Sequence, residues 1–255
     1  MKTNSKNYSS RTLFGSSFDR AIDRLRQHYP NYVLADYGTL YTNAFWKLQY
    51  EICEEYYDKI WDEKETNYIE EIVACLLGGF GFKAEIGWAA FNRLKTRKLI
   101  RRDVCLEKLV EALSEPIQIG DTCIHYRFPI QKSRYVYDFL SRSDLDNAPL
   151  EDDLEFRTWL LTINGIGPKT ASWITRNVLH SDNVAIIDIH LYRAGVLTGF
   201  ISPDLDVQRD YFEIEKCFLS YCHLINVRPS VMDMIMWTNM KNTNKIAINL
   251  INKQF

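Results

Sequence analysis

Lys169 stands two residues beyond the turn Gly165-Ile166-Gly167, and Asp188 follows 19 residues later at the end of the apolar run Val184-Ala185-Ile186-Ile187. A lysine amine attacks electrophilic carbon only when neutral. With an ordinary pKa near 10.4 it is neutral in on the order of one molecule in a thousand at neutral pH. A nucleophilic Lys169 therefore needs burial or a neighbour that takes its proton, and a carboxylate can be that neighbour. Asp188 sits where an unpaired charge would be costly, so a helix amide, Lys169 or a substrate has to satisfy it. Plainer readings exist for both residues. Asp188 can cap a helix that begins at Ile189. Lys169 can be a solvated side chain at a helix start, although a positive charge there opposes the helix dipole.

The elements that would position these two groups are legible around them. Leu160 to Ala171 reads as the end of a helix, a glycine hairpin and the start of a second helix. Asp152 with Glu155 forms a capping pattern ahead of Leu154, Leu161 and Ile163, and Pro168 suits the first turn of a helix running to about Leu179. Gly165 and Gly167 let the chain turn sharply and approach a partner closely, while Ile166 anchors the turn in the core. The amides of Gly167 and the following turn then face outward, where hydrogen bonding and the helix dipole attract a phosphate without reading any base. A nucleotide-binding P-loop would need glycine directly before the lysine and a strand before the loop; Pro168 and the preceding helix argue against it. Taken alone, the hairpin is equally an αα-turn that serves only topology.

Helical periodicity dominates elsewhere. Asn67 with Glu70 caps a stretch in which Ile69, Ile72, Val73, Leu76 and Leu77 share a face until Gly78-Gly79 stops it, and Gly81 extends that turn before a second amphipathic stretch, Ala84 to Leu94. Further helices are expected at 132–142, 207–221 and 230–240, the last just after Pro229. Strand candidates are 31–41, with Tyr32, Val33 and Leu34, and 121–130, with Ile124, Tyr126 and Phe128. The expected fold is mainly α with a small β element near the N-terminus. A boundary between two helical subdomains is expected at the polar loop 143–151.

Composition sets limits. The 31 basic and 33 acidic residues leave a formal charge of -2, so any nucleic-acid site must be a local patch. One candidate is the run containing Arg93, Lys95, Arg97, Lys98, Arg101 and Arg102, which reads equally as a solvated helix face. The six cysteines show no Cys-x-x-Cys pair and no clustering with His, and read as buried thiols in a reducing compartment. The N-terminal MKTNSKNYSS has no apolar core of a targeting segment and no run of 18 apolar residues occurs. A soluble cytoplasmic protein without a membrane partner is the expectation.

Two stretches together, Gly165-Ile166-Gly167-Pro168-Lys169-Thr170-Ala171 and Val184-Ala185-Ile186-Ile187-Asp188-Ile189-His190, resemble the helix-hairpin-helix DNA glycosylases, the 8-oxoguanine glycosylases in particular. Weaker similarity extends from 66 to 240, through Phe128-Pro129-Ile130-Gln131-Lys132-Ser133-Arg134-Tyr135, the helix ending in Gly78-Gly79 and the segment Val231 to Trp237. The resemblance implies two helical subdomains flanking a cleft for DNA and a base, with 66–255 as the core, the hairpin motif at about 153–180, and 1–65 as an extension packed on it. It implies Lys169 as the nucleophile toward sugar C1′, with Asp188 both capping its helix and stabilising oxocarbenium charge, and a Schiff base able to cleave the strand by β-elimination. Gly165, Gly167, Lys169, Thr170 and His190 would hold the DNA backbone.

A flipped base must be stacked, and Trp173, one turn after Lys169, is placed for it; an indole there stacks on the base or blocks it, and a Trp packed in the core is the equal alternative. The resemblance implies that the helix carrying Asp233 and Trp237, one turn apart, supplies one wall of the pocket, the first accepting from a purine N–H and the second stacking; plain core packing is the equal alternative for both. No metal is expected: only Cys217 and Cys222 follow the lysine–aspartate segment, so the iron–sulfur site of endonuclease III relatives is not anticipated, and the sole cofactor considered is a monovalent cation at the hairpin. The implied partner is duplex DNA carrying a damaged or modified base, bound by a monomer. Excision of another base, including a viral one, a non-catalytic DNA-gripping module and a protein-interaction domain remain open alternatives at this level.

Overall fold

The computed structural model describes residues 40–62, 67–79 and 83–254. Among them run eleven α-helices and a two-stranded antiparallel sheet. The helices are α1 (Asn43–Asp62), α2 (Tyr68–Leu77), α3 (Ala84–Thr96), α4 (Leu106–Ser114), α5 (Pro129–Leu140), α6 (Asp153–Leu160), α7 (Pro168–Leu179), α8 (Ile189–Thr198), α9 (Tyr211–Leu224), α10 (Pro229–Asn242) and α11 (Asn244–Gln254). Strands β1 (Ile117–Ile119) and β2 (Thr122–Ile124) pair between α4 and α5, with Gln118 opposite Cys123.

Local chemistry accounts for most helix starts. Asn67 accepts from the amides of Ile69 and Glu70, and Asp152 from those of Leu154 and Glu155. Glu70 does not complete a reciprocal capping box; its carboxylate pairs with Lys95 at 2.6 Å. Proline occupies the first turn of α5, α7 and α10. The C-terminus of α2 is closed by side chains from farther along the chain: Lys132 Nζ donates to the carbonyls of Leu76 and Gly78, and the Tyr126 hydroxyl to that of Leu77.

Two hydrophobic cores result. The first gathers α2 to α7, with Ile72, Leu76, Leu94, Leu109, Phe139, Phe156, Leu160 and Ile174 buried together. The second joins α1 to α8, α9, α10 and α11 through Trp46, Tyr50, Ile187, Leu191, Phe218, Val231 and Met236. Both helices of the glycine hairpin belong to the first core, so the chain crosses between cores at 180–184, after the left-handed His180 that ends α7. The boundary expected at 143–151 is therefore corrected: that loop holds a short 3-10 turn with Leu145 buried in the first core.

Other sequence expectations are also revised. Residues 31–39, including Tyr32, Val33 and Leu34, lie outside the described residues. In 121–130 only Thr122–Ile124 is a strand, because Phe128 already precedes the first turn of α5. The basic run is largely consumed internally. Arg93 donates to the carbonyls of Ala112, Glu115 and Pro116 at the end of α4, and Arg97, Arg101 and Arg102 pair with Glu115, Asp103 and Asp146. All six cysteines are free, but Cys105 and Cys123 are exposed rather than buried; burial pushes the Cys53, Cys75 and Cys222 thiols up.

Helix α1 carries Trp46, which is 0% exposed and donates from its indole to Thr198 Oγ1 at 2.8 Å. Trp46→Ala would empty that site and remove the donor to Thr198 Oγ1, whose own bond to the Ala194 carbonyl remains. The expected loss is about 3–5 kcal/mol in unfolding by denaturant; a loss under ~1 kcal/mol would mean that α1 contributes little to the second core.

Candidate active site

The hairpin closes on an aromatic ring. The amide of Ile166 donates to the carbonyl of Ile163 at 3.1 Å, and the Ile166 side chain is buried in the first core, as its sequence position suggested. Gly165 has φ +93, and a Cβ built on it would lie 2.6 Å from Cδ2 of Tyr135. Glycine here answers two demands at once, a left-handed backbone and a ring against the main chain. Gly167 caps α7 without a side chain, and the first bond closing the helix runs from the Ala171 amide to the Gly167 carbonyl at 2.9 Å. The amides of Lys169 and Thr170 thus lack an intrahelical acceptor and form an anion-seeking edge.

The second half of the site comes from the chain after α7. It crosses as the extended run 184–187 into the second core, and Asp188 caps α8: its Oδ1 accepts from the amides of His190 at 2.8 Å and Leu191 at 3.0 Å. The other oxygen, Oδ2, lies 3.9 Å from Lys169 Nζ. One carboxylate therefore serves as helix cap and as counter-ion to the lysine, using a different oxygen for each. The Lys169 side chain is 55% exposed and that of Asp188 only 11%. The nucleophile candidate is open to a substrate while its partner is held from behind. His190 stands on the same helix start, and its Nδ1 is buried without a hydrogen-bond partner among the described residues.

Trp173 lies one turn along α7 from Lys169 and is 41% exposed. Its indole N–H donates to Glu71 Oε1 of α2 at 3.0 Å, the same oxygen that accepts from Asn177 Nδ2 at 2.9 Å, and the Arg176 guanidinium lies 5.4 Å from its ring. The ring is thus fixed in orientation while part of it faces solvent. Glu71, Arg176 and Asn177 were not anticipated. The spacing of 169, 173, 176 and 177 along one helical face was the available signal for the last two; Glu71 had none, because its partners lie on another helix.

Of the two readings open for Asp233, the structure shows the buried one. It is 4% exposed, and its Oδ2 accepts from the Ile186 amide at 2.9 Å and pairs with Arg176 Nη1 at 2.9 Å. Burial pushes its carboxyl up, opposed by the Arg176 guanidinium and the Ile186 amide. It supports the run leading to Asp188 from inside instead of offering an open acceptor to a purine edge. Trp237, one turn later on α10, is 42% exposed with Lys241 Nζ 4.5 Å from its ring centroid. Among the described residues no group of three or more His, Cys, Asp or Glu side chains is arranged to hold a metal, and no helix is long and apolar enough to cross a membrane.

A family model described as 8-oxoguanine DNA glycosylase matches residues 50–227. An 8-oxoguanine DNA glycosylase/AP lyase of Metallosphaera sedula is 35% identical over 194 residues, covering 72% of this chain and 85% of its own. One from Fusobacterium nucleatum is 27% identical over 215 residues, covering 77% and 94%. In structure, the chain is similar to the 8-oxoguanine glycosylase/lyase of Methanocaldococcus jannaschii in complex with a 15mer DNA containing 8-oxoguanine. That match has a TM-score of 0.55 at 23% identity, over 88% of this chain and 96% of the other.

The hairpin geometry predicts an asymmetry between its glycines. Gly165→Ala drives a methyl into the Tyr135 ring at a positive φ and should cost about 1–3 kcal/mol of stability. Gly167→Ala, whose Cβ would meet nothing within 4 Å, should cost less. Denaturant unfolding of the two variants checks the order; equal losses would sink the close-approach account.

Proposed function

The chain belongs to the 8-oxoguanine DNA glycosylase family, and we propose that it removes 8-oxoguanine from duplex DNA as a glycosylase and AP lyase, with Lys169 as nucleophile and Asp188 as its carboxylate partner. The observation that carries the residue assignment is the 3.9 Å approach of Lys169 Nζ to Asp188 Oδ2 across two helix starts. Lys169, once it has lost its ammonium proton, attacks sugar C1′. The C1′–N9 bond breaks with its electron pair going to the base, which takes a proton from the attacking nitrogen. Asp188 opposes the positive charge that builds on C1′ and the ring oxygen. Opening of the sugar then breaks C1′–O4′ with its electron pair going to O4′, which takes up the proton first released by the Lys169 ammonium, and leaves an iminium between C1′ and Lys169. Loss of a C2′ proton expels the 3′ phosphate by β-elimination.

The remaining assignments follow from what each group offers. The edge formed by Gly165, Gly167, Lys169 and Thr170 presents amides to a backbone phosphate, and His190 adds a ring at the neighbouring helix start. Trp173, fixed by Glu71 and partly exposed, supplies a stacking surface for the extruded base, with Trp237 as the second aromatic of the pocket. A monovalent cation at the hairpin would be held by main-chain oxygens; it would add positive charge opposite a phosphate. The protein acts on DNA as a monomer in this reading.

Incubation with an 8-oxoguanine:cytosine duplex and borohydride should trap a covalent protein–DNA adduct on a denaturing gel, and Lys169→Ala should trap none. Trapping by the unmutated protein only on a duplex carrying an abasic site would retain the lyase and reassign the base. No adduct on either duplex would overturn the lysine mechanism.

A further inference from the structure

We propose that Tyr211, acting with the buried carboxylates Glu215 and Asp233, sets the position of Asp188 against Lys169 and is a positioning residue for excision. The inference rests on the assignment of Lys169 and Asp188 made above. Val184, Ala185, Ile186 and Ile187 are all buried, yet they belong to neither helix nor sheet. Their main-chain groups cannot reach water, and each left unpaired would be costly.

Side chains of the second core make the bonds that a sheet would otherwise supply. The Ala185 amide donates to Glu215 Oε1 at 2.9 Å, and the Ile186 amide to Asp233 Oδ2 at 2.9 Å. The Tyr211 hydroxyl donates to the Ala185 carbonyl at 2.8 Å and accepts from the Ile187 amide at 3.3 Å. Ile187 is the last residue before Asp188, so this phenol is the final tether before the aspartate. Burial pushes its pKa up, which keeps it neutral and able to donate as well as accept.

The clamp is joined to the helices of the hairpin. Glu215 pairs with Arg157 of α6 and accepts from Ser172 of α7 at 3.2 Å, and Asp233 pairs with Arg176 of α7. The run bearing Asp188 is thereby indexed to the helix bearing Lys169 through the buried groups Ser172, Arg176, Glu215 and Asp233. The Lys169–Asp188 separation is already beyond hydrogen-bond length, so a small slip of the run removes the carboxylate from the site of developing charge. Misplacement by about 1 Å can cost on the order of 100-fold in rate.

The test is Tyr211→Phe in single-turnover excision on an 8-oxoguanine:cytosine duplex, with affinity measured on a duplex carrying a tetrahydrofuran abasic analogue. The expected result is a rate lowered roughly 10- to 100-fold, affinity within about 2-fold, and no further loss when Tyr211→Phe is added to Asp188→Asn, because the tyrosine acts through the aspartate. A rate within about 2-fold of the unmutated protein, or a full additional loss on top of Asp188→Asn, overturns the clamp. If Tyr211→Phe does not fold, Glu215→Gln, which retains an acceptor for the Ala185 amide, is carried through the same cycle under the same criteria. An unmutated protein that releases no base overturns the excision reading itself, whereas an active one with an unaffected variant overturns the clamp alone.

Discussion

Helices α7 and α8 bring their N-termini within side-chain reach of each other, and the electrostatic cost of that meeting organises the structure around it. Each helix start carries roughly half a positive charge, and Lys169 adds a full one. Asp188 is the carboxylate set between them, with one oxygen on the amides of α8 and the other toward the lysine. A centre of this kind remains biased toward positive charge, which suits a backbone phosphate and a base departing with its bonding electrons.

This arrangement explains how a chain of formal charge -2 can engage DNA. The conspicuous basic run of 93–102 is engaged largely within the chain, Arg93 on carbonyls at the end of α4 and Arg97, Arg101 and Arg102 in exposed pairs with Glu115, Asp103 and Asp146. In the proposed reading, attraction for phosphate falls instead to oriented amides at the hairpin, which act at short range and need no net charge. Trp173 extends the same helix face, and its hydrogen bond to Glu71 fixes the plane of the indole. Arg176 then connects that face to Asp233 and the run before Asp188. The Trp173 side of α7 and the carboxylate-bearing run are thus parts of one polar framework.

The local features of the site were legible in the residues. Glycine at 165 and 167, proline at 168, the Asp152 cap and the apolar run before Asp188 each carry their meaning within a few positions, because turns, caps and helix starts depend on nearest neighbours. The family resemblance lay in the same two stretches. Helices 43–62, 106–114 and 244–254 escaped that reading, as did the crossing between cores at 180–184, because patterning along one helix does not say which core receives its apolar face.

What the sequence determined by itself was therefore the chemistry on offer: a lysine at a dipole-opposed helix start, an aspartate in an apolar run, and a hairpin able to present amides. Only the tertiary structure decided how those groups are held. Asp233, plausible from its spacing as a base acceptor, is drawn inward because the buried amide of Ile186 and the guanidinium of Arg176 need it there. Tyr211 and Glu215 acquire their roles in the same way. A main-chain segment buried outside any helix or sheet must take its hydrogen bonds from whichever side chains packing brings to it, and those partners are distant in sequence.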